Sequence, residues 1–381
     1  MSKVSCFLLY LGVLISCSQL PSGAQKPRPK SHLYRIYLTD TGPGKNEIGF
    51  INNMGKVVLG FDRLPAGSEV DDFSEGLAAI RFLDPRLRVR PSVGFIDATG
   101  GIVIAPRFRS TSRFSEGLAY VETDDTKGFI NRCGDFVIQL KDAEHFVYDF
   151  HEGFAVIATA QGEGFIDRTG KLVISGYKSA ESFSEGMAAV SVDHKQLAQY
   201  GFINREGKIV IPERFQRRIE GGPDSFVTVD AIQFSGGLAR VRTGGLYGYI
   251  DKKGVFVIPP RFLYAGDFSE GLASAVEENK AGFIDKAGHW VITLKIALES
   301  RSVFNAFKNG LAPVAIKTEH GIRWGYIDRS GKMAIPAVYL EAFPFDDGVA
   351  LVYVYDATGK LAVGRYIDTT GRYLWQPEQA P

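Results

Sequence analysis

One pattern returns along the whole chain and constrains its fold more than any other feature. Its clearest copy is Gly248-Tyr249-Ile250-Asp251-Lys252-Lys253-Gly254-Val255-Phe256-Val257-Ile258-Pro259. Copies begin at Gly49, Gly94, Gly128, Gly164, Gly201, Gly248, Gly282 and Gly325, with a decayed ninth at Arg365. They lie roughly 34 to 47 residues apart, the range in which repeat architectures occur. Length alone would divide 381 residues into about two or three domains. A repeat running end to end replaces that prior with one continuous array.

Each copy carries a turn. Asn or Asp stands three residues before a Gly, as in Asn52/Gly55, Asp97/Gly100, Asn131/Gly134, Asp167/Gly170 and Asp328/Gly331. The short side chain accepts a backbone N–H two residues on, and Gly takes the left-handed conformation, so the expectation is a type I turn closing a tight hairpin. A second signature lies between the hairpins: Phe, then Gly three residues on, then an apolar residue, then Ala. Examples are Phe73/Gly76/Ala78, Phe114/Gly117/Ala119, Phe183/Gly186/Ala188 and Phe345/Gly348/Ala350. The residues after that Gly read as a further short strand. Each unit is therefore expected to be a three-stranded antiparallel meander, in an all-β chain of about nine units.

The middle strand sets the packing. In Phe165-Ile166 and its counterparts both neighbours are apolar, yet successive strand side chains point to opposite faces. Such a strand is buried on both sides. The expected architecture is small sheets stacked face against face in a propeller-like arc or open spiral. Nine units exceed the usual blade number, and neither end reads as a strand donated to the other.

Residues 1–24 read as an export signal, with Lys3 ahead of an apolar core from Phe7 to Ile15 that is too short to span a bilayer. Leu14-Ile15-Ser16-Cys17 has the form of a lipoprotein box, which makes Cys17 the lipidation candidate. Ser22-Gly23-Ala24 offers an ordinary cleavage site instead. A polar tether follows at 25–32, then the array at 33–376 and a tail at 377–381. The expected location is the bacterial cell envelope, either on the outer membrane through a lipid or periplasmic or secreted, with the membrane met only through that anchor.

Three long connections interrupt the array: Arg81 to Ser92, Pro212 to Gln233 and Leu294 to Ala306. Their basic residues Arg86, Arg88, Arg90, Arg217 and Arg218 are the candidate binding residues, because insertions in repeat proteins often gather on a binding face. The net charge of +1 offers no general attraction for nucleic acid.

Catalytic patterns are not evident. The recurrent Glu75, Glu116, Glu152, Glu185 and Glu270 become Gly236, Asn309 and Asp347 elsewhere and read as exposed turn residues. The six histidines are scattered, and His145 and His151 merely flank one connection. Cys6 and Cys17 fall in the export signal, which leaves Cys133 as a lone thiol in the repeats. No metal or cofactor is expected.

With Trp324-Gly325-Tyr326-Ile327-Asp328-Arg329-Ser330-Gly331-Lys332 in view, the unit resembles the bacterial WG-repeat family. That family's pattern is W-G-[FY]-I-[DN]-x-x-G-K-x-[VI]-I-P followed by F-x-[ED]-G-L-A-x-V. The likeness covers 33–376. Only Trp324 supplies the Trp; the slot elsewhere holds Ile48, Val93, Lys127, Glu163, Tyr200, Tyr247 and Ala281. The resemblance implies a β-rich scaffold, often exported, and carries over no functional residues. The reading is an exported, non-catalytic scaffold for a protein or an envelope or glycan partner. The alternatives are a structural envelope protein without a specific ligand and a carbohydrate-active enzyme.

Overall fold

The fold was analysed in a computed structural model. It describes residues 32–37, 48–64, 68–82, 92–140, 147–192, 199–216, 232–278, 280–294, 305–356, 358–360 and 362–375. The segments 1–24 and 25–31, Cys17, the five candidate arginines and the tail 377–381 lie outside these residues. Among the described residues, no helix is long and apolar enough to cross a membrane.

Nine antiparallel sheets follow one another along the chain: blade 1 (34–59), blade 2 (68–108), blade 3 (110–139), blade 4 (154–177), blade 5 (179–216), blade 6 (234–262), blade 7 (264–294), blade 8 (311–339) and blade 9 (341–375). Among the described residues, blades 1, 4 and 8 have three strands and the other six have four; the three correspond to the second, third and fourth of the others and are numbered accordingly below. The strands stand in chain order within each sheet.

Local chemistry accounts for the hairpins. At Asp97 the backbone N–H of Gly100 bonds the Asp97 carbonyl, and the Asp97 carboxylate accepts the N–H groups of Thr99 at 2.8 Å and Gly101 at 3.1 Å. Gly100 sits at φ 84°. This is the expected Asx turn with a left-handed glycine, and it recurs at Asn131, Asp251, Asp285, Asp328 and Asp368. The glycine that opens each middle strand has a different cause. A Cβ on Gly164 would lie 2.5 Å from the Ile174 carbonyl oxygen, because the fourth strand bulges across it.

The middle strands are buried on both sides, as their sequence requires. Phe95 joins a core between blades 2 and 3 with Leu77, Val93, Phe108, Phe114 and Val121. Its neighbour Ile96 joins the core between blades 1 and 2 with Phe50, Leu59 and Ile80. Every successive pair of blades encloses such a cluster, and a ninth, formed by Ile36, Ile51 and Trp375 with Tyr34, Tyr366 and Leu374, joins blade 9 to blade 1.

That last cluster closes the ring, and the molecule is a nine-bladed propeller. The expectation of an open arc or spiral is therefore corrected. Among the described residues no strand is exchanged at the closure; it rests on face packing and on polar links, with the Tyr34 hydroxyl donating to the Asp346 carbonyl at 2.6 Å and Asn53 donating to Asp347 at 3.3 Å. A uniformly three-stranded unit is likewise corrected for six blades. The extra strand is short, and in blades 3, 5, 7 and 9 it follows the last strand of the preceding blade after a single residue, as Ser179–Ala180 follows Tyr177. The Lys178 N–H already bonds Ser191 of the new blade. One bent strand thus serves two sheets and ties them covalently.

Candidate functional site

The meander fixes which connections share a side of the ring. Turns between the first and second strands, and between the third and fourth, lie at one end of the strands. Connections between the second and third strands, and from the fourth strand to the next blade, lie at the other. The first set are tight hairpins and form a turn face. The second set include every long connection singled out in the sequence: Phe82 to Ser92, Gln216 to Phe234 and Leu294 to Leu311. These form a loop face. Phe82 and Gln216, from which the segments carrying Arg86, Arg88 and Arg90 and Arg217 and Arg218 depart, therefore lie at the same end of their strands.

On the turn face the recurrent glutamates have a role that the sequence reading missed. Each stands first in a two-residue hairpin loop with both φ angles positive, 52° at Glu116 and 79° at Gly117, which is the type I′ arrangement. The Glu75 carboxylate accepts the N–H of Gly117 in the next blade at 2.9 Å; Glu116 accepts that of Gly153 at 3.0 Å, and Glu152 that of Gly186 at 2.9 Å. Glu185 accepts from Gly237 and Glu270 from Gly310, each at 3.0 Å.

A cation from the same neighbouring blade completes each site. Arg168 reaches the Glu116 carboxylate at 3.4 Å and its carbonyl at 3.0 Å. Lys252 reaches the Glu185 carbonyl at 2.7 Å, and Arg329 that of Glu270 at 2.7 Å. Serines beside them add a second link, as when Ser115 donates to the Phe150 carbonyl at 2.7 Å. Glu75, Glu116, Glu152 and Glu185 are partly covered rather than exposed, Glu270 is exposed as expected, and all five join adjacent blades. Asn309 keeps the same bond, to Gly348 at 3.1 Å.

Ionisable groups otherwise serve structure. The Thr169 hydroxyl, 2.5 Å from the Asp167 carboxylate, and backbone N–H groups hold that carboxyl below the usual carboxylate range. The Ser330 hydroxyl and backbone N–H groups do the same for Asp328. Burial pushes the Tyr339 phenol up to about 12 and raises Tyr249 and Tyr326 further; the last two donate to the Gly266 and Phe343 carbonyls. Among the described residues, no group of three His, Cys, Asp or Glu gathers as a metal site would require. His145 lies outside the described residues, while His151 starts a blade-4 hairpin. Cys133 sits in the blade-3 turn, where its backbone N–H donates to the Asn131 side-chain oxygen at 2.9 Å.

The fourth strands end six or more of the sheets with exposed apolar residues, among them Val103, Val137, Val173, Val257 and Val291. Prolines on these strands, Pro106, Pro212 and Pro259, limit the addition of a further strand.

A crystal structure of a eukaryotic initiation factor superposes with a TM-score of 0.56 over 91% of this chain and 96% of that one, at 14% identity. Hsv2p of Kluyveromyces lactis, at 9% identity, covers 79% of this chain and 97% of its own with a TM-score of 0.38. Apo AztD of Citrobacter koseri, at 12% identity, covers 90% and 96% with a TM-score of 0.34. At these identities the likeness concerns fold alone. No curated protein matches the sequence. The family model of the WG containing repeat matches five times, at residues 94–126, 164–195, 200–217, 247–280 and 324–356. The four longer matches each run from the last two strands of one blade into the first two of the next, the one at 200–217 covers the last two strands of blade 5, and the chain belongs to the WG-containing repeat family.

Proposed function

We propose that the protein is an exported, non-catalytic binding scaffold whose loop face engages a protein or an envelope glycan. One observation carries this reading: the lengthened connections all leave from the same end of the strands, while the other end is occupied by short hairpins that link blades. A rigid ring that varies its loops on one side only is suited to recognition, because loops tolerate change where strands do not. Arg86, Arg88, Arg90, Arg217 and Arg218 belong to connections that depart from that end, and their charge would suit an anionic partner. Cys17, when lipidated, would hold the ring at a membrane surface.

The test compares two variants in crosslinking and affinity capture from envelope fractions. One reverses charge on the loop face at Arg86, Arg88 and Arg90; the other reverses charge on the turn face at Lys252. A stoichiometric partner kept by wild type and by the turn-face variant, but lost from the loop-face variant, supports the proposal. A partner kept by all three, or no stoichiometric partner from any, contradicts it and favours a purely structural role. Palmitate labelling of wild type against Cys17→Ser tests the anchor: loss of a labelled band is expected, and absence of label from both contradicts it.

A further inference from the structure

The turn face repeats one device: a carboxylate from one blade, held by a glycine N–H and a basic side chain of the next. At the junction of blades 6 and 7 the two holders remain but the carboxylate does not. Gly236 stands where Glu75, Glu116, Glu152, Glu185 and Glu270 stand in their blades, with φ 63° close to their 51–52°. Gly271 supplies the backbone N–H, in the hairpin position of Gly117 and Gly153. Lys286 supplies the cation, one residue after the turn aspartate Asp285, as Arg168, Lys252 and Arg329 do after theirs. A Cβ on Gly236 would lie 3.2 Å from Cβ of Phe268, a tight contact, and 3.5 Å from Cε and 3.6 Å from Nζ of Lys286, the flexible end of a side chain.

The junction is otherwise built like the others. Ser235 donates to the Phe268 carbonyl at 2.7 Å, as Ser115 does to Phe150. The neighbouring acids are already engaged. Asp285 accepts the N–H groups of Ala287 and His289, and Glu270 accepts that of Gly310. Among the described residues, neither the Gly271 N–H nor the Lys286 ammonium has a partner. Both are exposed.

We propose that Gly271 and Lys286 form a binding site for a carboxylate supplied from outside the chain, the acidic side chain of a partner polypeptide. The protein itself shows the ligand pose five times, since each internal glutamate is that ligand delivered by the preceding blade. A carboxylate taking both a backbone N–H and a cation gains charge-assisted hydrogen bonds without reordering the protein, because the same hairpin holds Gly271 whether or not a ligand is present. The site lies on the turn face, opposite the loop face proposed above, and stands or falls independently of it.

The experiment uses the full folded chain with 15N-labelled glycine and follows the Gly271 amide, assigned by its loss in Gly271→Asn. The probes are the α-amide of N-acetylglutamate, which offers only a side-chain carboxylate, and N-acetylglycine, which offers only a terminal one. Sodium chloride at matched ionic strength is the control. A saturable downfield shift of Gly271 with the glutamate probe is expected, with Gly117, Gly153 and Gly186 unmoved because their own glutamates occupy them. Lys286→Ala should weaken that binding about two- to fivefold, the strength of an exposed ion pair. Gly236→Glu should abolish it and fix the Gly271 shift at its bound value, since Glu adopts this backbone conformation at five other hairpins. Saturation by N-acetylglycine alone would overturn the side-chain assignment. Equal, unsaturable shifts at all four glycines, or titration unchanged in Gly236→Glu, would overturn the site.

Discussion

Single residues in this protein act mostly across a boundary between blades. Glu116 is the clearest case. Truncation to Ala removes an acceptor shared by Gly153 and Arg168 and should cost about 1–2 kcal/mol, the worth of a charge-assisted hydrogen bond that is partly solvated. Glu116→Gln keeps one acceptor oxygen and should lose clearly less; urea midpoints of both variants check the order. At Gly164 the limit is steric. An Ala there would press its Cβ against the Ile174 carbonyl, so Gly164→Ala should cost about 2–3 kcal/mol, whereas Gly117→Ala meets no atom and should cost only about 1 kcal/mol for its positive φ. Equal losses at the two sites would contradict this account. The turn aspartates give a pH signature. The carboxyls of Asp167 and Asp328 lie below their ordinary value in the folded chain, so they bind fewer protons folded than unfolded. Their contribution is therefore complete above about pH 4 and is lost as pH falls through the lowered value. Asp328→Asn should lower the melting temperature at neutral pH and make no difference in strong acid; an equal loss at both pH values would contradict the charge-based explanation.

At the scale of strands and blades, the repeating device weakens at one place. Among the described residues, the core between blades 2 and 3 holds Leu77, Ala79, Val93, Phe95, Ile104, Phe108, Phe114, Ala119, Val121 and Ile130, while the core between blades 9 and 1 holds Ile36, Ile51 and Trp375 as buried residues. Burial of apolar area is the main source of cohesion between sheets, so this seam should open before the others. In a chain whose Trp290 and Trp324 are replaced by Phe, fluorescence of Trp375 should change at lower denaturant than the circular dichroism signal. Coincident transitions would contradict a weak seam. The sequence could be read well at this scale wherever the signal was local. The Asx-Gly hairpins, the doubly apolar Phe/Tyr-Ile strands and the nine-fold count depend on residues a few positions apart. The short first strand was not legible, because two residues such as Ser179–Ala180 show no alternation of their own. The aromatics that precede it at Phe108, Tyr177, Phe262 and Tyr339 were the available signal. Nor was the role of the glutamates, whose partners lie 34 to 52 residues away on another blade.

For the whole molecule, a propeller of this kind is stabilised by neighbours, since a sheet of three or four strands buries too little on its own. Closure then matters more than any single blade, because it removes two exposed sheet faces at once. No sequence pattern announces it, since it follows from how much each wedge turns the next. The turn face and loop face follow from the meander alone, whereas the slot at Gly236 depends on how blades 6 and 7 pack. The most direct test of the ring uses Asn53→Cys with Asp347→Cys, positions whose native side chains meet at 3.3 Å across the seam. A short bis-maleimide should join them within one chain in high yield, and Asn53→Cys with Asn309→Cys should not react. Failure of the first pair, or links formed only between separate chains, would show that blades 1 and 9 do not meet and that the array is open.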